Sequence, residues 1–153
     1  MWGSRFTPTV ATAQKSRTLA ASQKRVWEVI EDPGQLARWW PGVTRTEGVQ
    51  RDRWTEVHAD KRGRTVRLDF HLLESSPPSY RLWEQQLAGT PFERVLDESV
   101  TEVALERVAE GTLVTIAVRQ KLRGYSRTGA VVLRQTAGKQ LSQALDGLRR
   151  VVT

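Results

Sequence analysis

The sequence predicts an α+β fold in which a seven-stranded antiparallel sheet wraps around one long C-terminal helix, with two short helices after the first strand. Residues 125–153 carry an apolar stripe at helical spacing, which indicates the long helix. Six alternating segments before it are joined by short turns, so they must pair antiparallel as a meander. The chain has 153 residues and no cysteine, so a single domain over residues 1–153 can bury one core without disulfides.

The predicted first strand covers residues 9–20, where polar and apolar residues alternate loosely without glycine or proline. Residues 1–8 before it form an extension that is either ordered or flexible. Ser22 stands at an N-cap position ahead of residues 23–30, in which apolar residues recur at helical spacing. Residues 23–30 are therefore the first short helix.

A second short helix is predicted from the cap residues that follow the first. Asp32, Pro33 and Gln35 combine an N-cap acid, a proline at the first helical position and a glutamine at the third. The helix continues through Trp40, and the Pro-Gly pair after it ends the segment.

From residue 43 onward the pattern is typical of strands separated by turn residues. The six predicted strands cover residues 44–51, 53–60, 64–74, 79–88, 96–108 and 112–122. Alternation in the third of these strands places four apolar residues on the core face: Val66, Leu68, Phe70 and Leu72. In the last strand the same argument buries Ile116 with its apolar neighbours.

The face that residues 53–60 turn inwards depends on the hairpin that follows them. A three-residue turn at 61–63, with its glycine in the left-handed conformation, pairs Asp60 with Arg64. That register points three residues inwards: Trp54, Glu56 and His58. A two-residue turn shifts the register by one and points the other face inwards: Thr55, Val57 and Ala59. We favour the three-residue turn because it buries the tryptophan.

The apolar stripe of the long helix has no aromatic side chain, so the helix leaves space between itself and the sheet. The N-terminal half of the helix is expected to border a cavity. Residues 141–152 are expected to be plain core. The helix residues assigned to the cavity are Ala130, Leu133, Arg134 and Ala137.

The facing strands and one loop are expected to supply the other wall of this cavity. Trp54 and Trp83 offer flat aromatic surface, and an inward Trp83 leaves Gln85 as a donor and acceptor in the pocket. Phe92, in the loop 89–92, is expected to act as a lid. The alternatives are plain core for both tryptophans and an ordinary connection for the loop. The predicted ligand-binding residues are Trp54, His58, Leu68, Phe70, Trp83, Gln85, Phe92, Ile116, Ala130, Leu133, Arg134 and Ala137.

Glu56 and His58 are the first candidates for acid–base chemistry. In the favoured register both face the cavity, where a carboxylate beside an imidazole can exchange protons with a ligand. In the other register both are solvated. Asp69 and His71 share the outer face, and two ligands without a third make no metal site. With two histidines, no cysteine and no phosphate- or dinucleotide-binding motif, the chain is expected to use no metal or cofactor.

The net charge is +7 and the isoelectric point is near 10.5, which favours an anionic partner. Acids are interleaved with the arginines, so a solvated basic surface is the simpler interpretation and no nucleic-acid partner is expected. No segment has the length and apolarity of a membrane span or a signal peptide, so we expect a cytoplasmic protein, either monomeric or oligomeric. The candidates for a basic binding surface lie on one hairpin: Arg51, Arg53, Arg62, Arg64 and Arg67.

Several local motifs add to this pattern. They are Val26, Trp27 and Ile30 in the first helix, then Asp32, Pro33, Leu36, Trp39, Pro41, Gly42 and Val43, and later Pro77, Pro78, Gly111 and Thr112. With the order of elements, they resemble the helix-grip fold of the START-like, or Bet v 1-like, superfamily (SRPBCC). Residues 83–85 and 89–94 are similar to a group of bacterial proteins labelled polyketide cyclase or dehydrase.

The resemblance implies an apolar cavity between sheet and helix that takes lipids, sterols, polyketides or plant hormones. For Arg134 it implies binding of an enolate or carboxylate oxygen, with extension into solvent as the alternative. We therefore expect the chain to bind a lipid-like, polyketide or aromatic molecule, with or without a cyclase or dehydratase reaction. The competing hypothesis is a non-enzymatic interaction protein that binds RNA, a ribosome or a protein through its basic surface.

Overall fold

The computed structural model describes residues 9–124 and 127–153, which form seven strands and three α-helices. The helices are α1 (Gln23–Ile30), α2 (Leu36–Trp39) and α3 (Arg127–Val152), and 3-10 segments cover Pro33–Gln35 and Pro91–Arg94. The strands are β1 (Thr9–Leu19), β2 (Val43–Glu47), β3 (Arg53–Ala59), β4 (Thr65–Ser76), β5 (Tyr80–Gln85), β6 (Leu96–Val108) and β7 (Gly111–Leu122).

The strands form one antiparallel sheet in the order β1-β7-β6-β5-β4-β3-β2, so β1 and β2 are its edges. Strands β2 to β7 pair with their neighbours in the sequence, and β1 closes against β7. Helix α3 packs on β1 and β7 and contacts α1 and α2. This is the helix-grip architecture predicted from the sequence. No helix among the described residues is long and apolar enough to cross a bilayer.

Both predicted N-caps of the short helices are present. The Ser22 hydroxyl accepts a hydrogen bond at 3.1 Å from the backbone N–H three residues later. An Asp32 carboxylate oxygen accepts one at 2.9 Å from the N–H two residues later. The predicted second helix is divided, because a 3-10 turn follows the cap before α2 begins at Leu36. The predicted start of the long helix at Tyr125 and the extension 1–8 lie outside the described residues.

Strands β3 and β4 are joined by the predicted three-residue turn. The Asp60 N–H donates to the Arg64 carbonyl oxygen at 2.8 Å, and Gly63 has a φ of +78°. The pairs that follow are Trp54 with Phe70, Glu56 with Leu68, and His58 with Val66. The favoured register is therefore confirmed, and the face that carries Trp54 and Glu56 points inwards.

The core lies between the inner face of the sheet and the helices. Leu141, Leu145 and Leu148 of α3 are at most 1% exposed, which confirms that the C-terminal half of this helix is core. A second apolar cluster lies near the start of α3 and contains Ala11, Leu87, Leu96, Leu122 and Ala130, with Leu133 packed against it. The two halves of the helix therefore cover different parts of the sheet.

Burial along β4 differs from the prediction. Of the four residues assigned to the core face, only Phe70 is buried, while Leu68 and Leu72 are partly exposed and Val66 is 37% exposed. Val66 lies beside the exposed turn 61–63, beyond the cover of the core. The pairing of β4 with β5 also shifts after Leu72, which interrupts the simple alternation. Strands β2 and β5 are shorter than the predicted 44–51 and 79–88.

On the outer face of the sheet, the Tyr80 hydroxyl donates a hydrogen bond of 2.7 Å to a carboxylate oxygen of Glu102. This bond and the burial of the phenol raise the pKa of Tyr80 to about 12, from 10.0. Stability from the bond should be complete below pH 10 and lost as the pH rises through about 12. In an ultraviolet titration of phenolate, an ionisation near pH 12 should be present in the wild-type protein and absent from Tyr80→Phe. An unchanged titration curve near pH 12 in Tyr80→Phe would contradict the assignment.

Candidate functional site

A cavity of about 100 Å³ lies between the inner face of the sheet and α3, and we call it the inner cavity. Its walls come from the residue that follows α2, from strands β3 to β7 and from α3. The described residues that line it are Trp40, Glu56, His58, Leu68, Phe70, Trp83, Gln85, Ser99, Thr101, Val118, Gln120 and Gln140.

Aromatic side chains occupy much of the space between sheet and helix. Trp54 stacks on Phe70 with ring centres 5.9 Å apart, and the edge of Trp83 meets Trp40 at 6.2 Å and Trp54 at 6.1 Å. Small-molecule sites usually measure about 300–1,000 Å³. The inner cavity is below that range because the tryptophans of the sheet fill the room that the helix stripe leaves.

The inner cavity is more polar than the predicted apolar pocket, since seven of its twelve described lining residues are polar. Gln120 donates from Nε2 to the Ser99 hydroxyl at 3.4 Å. The Nε2 of Gln85 is buried and has no hydrogen-bond partner among the described residues. Gln140 is the contribution of α3. The cavity therefore combines aromatic walls with amide groups.

Glu56 and His58 are brought together in the inner cavity. Glu56 is 3% exposed, and its Oε2 accepts a hydrogen bond of 3.2 Å from the indole Nε1 of Trp54. Its Oε1 lies 3.1 Å from Nε2 of His58. Three alternate residues of one strand thus form a connected polar chain, because they share the inner face of β3.

A groove of about 370 Å³ lies on the surface beside the inner cavity, and we call it the outer groove. It is lined by residues 37–43 and by Gln143, Asp146 and Arg150 of α3. Trp40 lines both spaces. At Gly42, which has a φ of +85°, an added Cβ would lie 3.1 Å from Nδ1 of His58. The inner cavity and the outer groove therefore approach each other at Trp40, Gly42 and His58.

Five predicted ligand-binding residues line the inner cavity: His58, Leu68, Phe70, Trp83 and Gln85. Three others on the sheet side are placed elsewhere. Trp54 lies buried behind the lining, Ile116 is fully buried in the core, and Phe92 is 36% exposed on the 3-10 segment. The lining residues that sequence interpretation missed include Ser99, Thr101 and Gln120, which alternation on β6 and β7 places on the inner face.

The helix wall of the inner cavity differs from the prediction. Ala130 and Leu133 pack in the second apolar cluster, Ala137 is buried, and Arg134 is exposed. The helix residue at the inner cavity is Gln140 instead. The correction arises because Leu87, Leu96 and Leu122 fill the space beneath the start of α3. Any role of the four predicted helix residues in binding a ligand stays a prediction.

Arg81 is a buried cation that the sequence interpretation missed. It lies on the inner face of β5, is 4% exposed, and its guanidinium carbon is 5.7 Å from the ring centre of Trp54. Burial lowers its pKa, against the carboxylates of Glu31 and Asp32, which raise it. Its Nη2 has no partner among the described residues. The inward orientation of Arg81 could have been predicted by alternation, because Arg81 lies two residues before Trp83, which points inwards.

The basic hairpin carries less free charge than the sequence count implies. Three of its five arginines pair with a nearby carboxylate: Arg53 with Asp52, Arg64 with Asp60 and Arg67 with Glu47. Binding to nucleic acid depends on lysines and arginines that can neutralise phosphates. Binding of a partner through this basic hairpin therefore stays a prediction, and three of the five arginines that would carry it are already paired with carboxylates.

Residues 10–153 match the profile of the family described as polyketide cyclase / dehydrase and lipid transport. No curated protein matches the chain in sequence. The family match covers almost the whole chain.

Solved structures with the same fold include a di-domain protein and proteins that this chain covers almost entirely. The di-domain ARO/CYC StfQ of the steffimycin biosynthetic pathway superposes with a TM-score of 0.74 and 13% identity, over 94% of this chain and 50% of StfQ. Protein SA2116 of Staphylococcus aureus, of unknown function, gives 0.76 and 13% over 96% of both chains. An uncharacterised protein of Rhizobium leguminosarum gives 0.69 and 22%, over 95% of this chain and 96% of the other. The chain thus spans half the length of StfQ, and identities this low show the fold alone.

Proposed function

This chain belongs to the polyketide cyclase / dehydrase and lipid transport family, within the START-like superfamily, and from that membership we propose that it binds a hydrophobic small molecule of aromatic or polyketide type. The ligand enters the inner cavity, and a single START-like domain suffices to hold it. Its polar part is a neutral hydrogen-bond acceptor such as a ketone oxygen.

The observation that carries this proposal is the buried Nε2 of Gln85, which has no partner among the described residues in a cavity walled by aromatic rings. A buried donor without an acceptor costs about 1–3 kcal/mol. A carbonyl oxygen on a ligand would accept that hydrogen bond while its rings pack against Trp83 and Phe70. The amide supplies orientation and the aromatic walls supply the apolar contact.

The charge of the inner cavity supports a neutral ligand. Glu56 is 3% exposed, its Oε2 accepts a hydrogen bond from the indole of Trp54, and its Oε1 lies 3.1 Å from Nε2 of His58. With Glu56 ionised, a ligand carboxylate in the same small cavity would be repelled, because like charges interact strongly away from water. Ketones and quinone-like carbonyls avoid this repulsion.

The volume supports a ligand that lies only partly in the inner cavity. About 100 Å³ accommodates one ring or a short chain, and the outer groove of about 370 Å³ lies on the other side of Trp40. A rotation of Trp40 would join the two spaces. The ligand then keeps its acceptor at Gln85 and extends towards Gly42.

Binding is tested with 1-tetralone, a neutral bicyclic ketone, against tetralin, the same hydrocarbon without the carbonyl. In a titration of tryptophan fluorescence, Gln85→Leu should weaken tetralone binding roughly 3- to 10-fold and leave tetralin unchanged, since one neutral hydrogen bond is lost. The control is Gln86→Leu, because Gln86 bonds to His71 and lies outside the lining of the inner cavity. Naphthoate, with its negative charge, should bind most weakly of the three.

Equal affinities of the wild-type protein for tetralone and tetralin would contradict the role of Gln85. Failure of both compounds to bind would contradict the cavity as the site. Native mass spectrometry of the protein as purified provides an independent check, because a carried ligand would add its own mass. A neutral aromatic ketone in that spectrum is the expected class.

A further inference from the structure

We propose that the protonation state of Glu56 and His58 determines which ligand charge the inner cavity accepts. While the pair carries one negative charge, the cavity accepts neutral molecules, and after the pair has taken up one proton it also accepts an aromatic carboxylate. The proposal rests on the proposed function, because it concerns the ligand of the same cavity. Glu56 and His58 are specificity-determining residues, and only binding and proton uptake are involved.

The two side chains are in direct contact in the wall of the cavity. Oε1 of Glu56 lies 3.1 Å from Nε2 of His58, and their side chains are 5% and 19% exposed. Oε2 of Glu56 already accepts a hydrogen bond of 3.2 Å from the indole N–H of Trp54. Two titratable groups this close take up protons as a unit, so the charge that a ligand meets is the charge of the pair.

This pair supplies all the titratable charge of the cavity lining. Among the twelve described lining residues, Glu56 and His58 are the two that can change charge. The other polar residues of the lining carry amides and hydroxyls: Gln85, Ser99, Thr101, Gln120 and Gln140. One proton therefore takes the lining from one negative charge to none, in a space of about 100 Å³ where little water can screen the difference.

The elements packed around His58 add no further titratable group to the described lining. Its cross-strand partners are Val43 on β2 and Val66 on β4. The segment after α2 contributes Trp40 to the lining, and α3 contributes Gln140. Histidine ordinarily changes charge between pH 5 and pH 8, so proton uptake by the pair falls in a range that can be measured on the folded protein.

Charged groups beyond the lining keep their charge over this pH range. Arg81 lies over the ring of Trp54, with its guanidinium carbon 5.7 Å from the ring centre. The outer groove carries three charged residues, which are Arg38, Asp146 and Arg150. Asp146 is paired with Arg17. Guanidinium groups stay protonated and paired carboxylates stay ionised between pH 5 and pH 8, so these residues contribute a constant field.

The direction of the pH dependence follows from these charges. At pH 8 the negative pair repels a ligand carboxylate, and the repulsion disappears when the pair takes up a proton at lower pH. The same proton turns an acceptor of the pair into a donor, which adds to the unpaired Nε2 of Gln85 as a partner for the carboxylate. Because linkage is reciprocal, a carboxylate that prefers the protonated pair must itself promote proton uptake.

Benzoate and benzamide are the matched probes, because each has one ring, their shapes are nearly the same and only benzoate is charged. Benzoate stays ionised above pH 5, since carboxyl groups titrate near pH 4. Linkage to one proton changes an affinity by up to about 10-fold per pH unit. In isothermal titration calorimetry the affinity for benzoate should therefore rise by about 10-fold or more from pH 8 to pH 5.5, and the affinity for benzamide should stay the same.

Three substitutions separate the roles of the two residues. Glu56→Gln removes the negative charge, so benzoate at pH 8 should bind this variant about 10-fold more tightly than the wild-type protein. His58→Gln keeps a hydrogen-bonding group beside Glu56 but cannot take up a proton, so the rise in benzoate affinity at low pH should be lost. His71→Gln is the control and should leave both affinities unchanged, because His71 bonds to Gln86 outside the lining of the inner cavity.

Proton uptake can be measured on the wild-type protein alone. Calorimetry at pH 8 in phosphate and in Tris, which release protons with different heats, should show uptake approaching one proton per benzoate bound and none per benzamide. Without any ligand, NMR signals of the His58 ring should shift between pH 8 and pH 5.5. The shift should move to lower pH in Glu56→Gln, because the carboxylate that favours the imidazolium is gone.

Equal benzoate affinities at pH 8 and pH 5.5, with benzamide bound, would overturn the charge selection and leave the proposed function intact. Benzoate binding without proton uptake, unchanged His58 ring signals, or a full pH dependence in His58→Gln would do the same. If neither probe binds at either pH, the inner cavity is not the site and both proposals fail. Thermal unfolding at both pH values shows that each sample is folded, and if a variant does not fold, the proton uptake of the wild-type protein still decides.

Discussion

Replacing Gly147 by alanine is expected to lower the free energy of unfolding by about 2–3 kcal/mol, as overpacking of a closed contact does. Gly147 lies on α3 where the helix crosses the segment that carries Trp39. A Cβ there would lie 2.3 Å from the Trp39 carbonyl oxygen and 2.9 Å from its Cα, so backbone rather than a flexible side chain would have to move. The helix preference of alanine, about 1 kcal/mol, offsets only part of this.

Gly138→Ala is the matched control on the same helix. Its Cβ would meet only Lys15 Cε, at 3.6 Å, which is an ordinary contact with a flexible chain. It should therefore raise the free energy of unfolding by up to about 1 kcal/mol. Urea denaturation measures both changes. The prediction is contradicted if both variants change the free energy of unfolding in the same direction. Only the contact of the new Cβ with the Trp39 backbone is expected to make Gly147→Ala destabilising.

The contact at Gly147 also explains why Trp40 lies at the inner cavity. Close approach of α3 to the Trp39 backbone fixes the end of α2, and Trp40 is the next residue. Its ring meets Trp83 at a centre distance of 6.2 Å, and Trp40 lines both the inner cavity and the outer groove. Tetralone binding should therefore weaken in Gly147→Ala as well as stability.

The fold could be predicted because its determinants are local in sequence. The Ser22 and Asp32 caps start the short helices through hydrogen bonds to backbone only two or three residues away. The register of β3 with β4 follows from a turn of three residues with a glycine at 63. Each of these features has few competing alternatives, so the pattern of residues decides between them.

The site was only partly predictable because it depends on contacts between distant elements. Alternation predicts that His58 and Gln85 lie on the inner face of the sheet, and both line the inner cavity. The helix wall was misplaced because the position of α3 over the sheet decides whether Leu133 or Gln140 faces the cavity, and the stripe pattern is equally consistent with both. Arg81 was missed because the general rule that charged residues are exposed conflicts with alternation, and here alternation prevailed.

Trp83→Ala is expected to lower the free energy of unfolding by about 3–5 kcal/mol and to enlarge the inner cavity. Trp83 is 3% exposed, meets the rings of Trp40 and Trp54, and lines the inner cavity. Truncation removes these contacts and leaves a space that the surrounding strands can only partly close, because protein interiors are tightly packed. The space left by the Trp83 ring would adjoin the inner cavity, because Trp83 lines that cavity.

The matched control is Trp27→Ala, which removes the same atoms elsewhere in the core. Trp27 is 5% exposed and bonds through Nε1 to Glu31 at 2.8 Å, outside the lining of the inner cavity. Both variants should lose stability, but only Trp83→Ala should gain a place for a bicyclic ligand. Denaturation with and without 1-tetralone separates the two effects.

The ligand response of the Trp83 variant distinguishes a binding cavity from a plain core. A ligand at 100 times its dissociation constant stabilises the folded state by about 2.7 kcal/mol. Tetralone should therefore recover much of the stability lost in Trp83→Ala and little of that lost in Trp27→Ala. If the two variants respond equally, tetralone is filling any available void, and the amide of Gln85 gives the inner cavity no preference. A larger response in Trp83→Ala that is reduced by adding Gln85→Leu would tie the ligand to both the ring space and the amide, because the two changes would then be coupled.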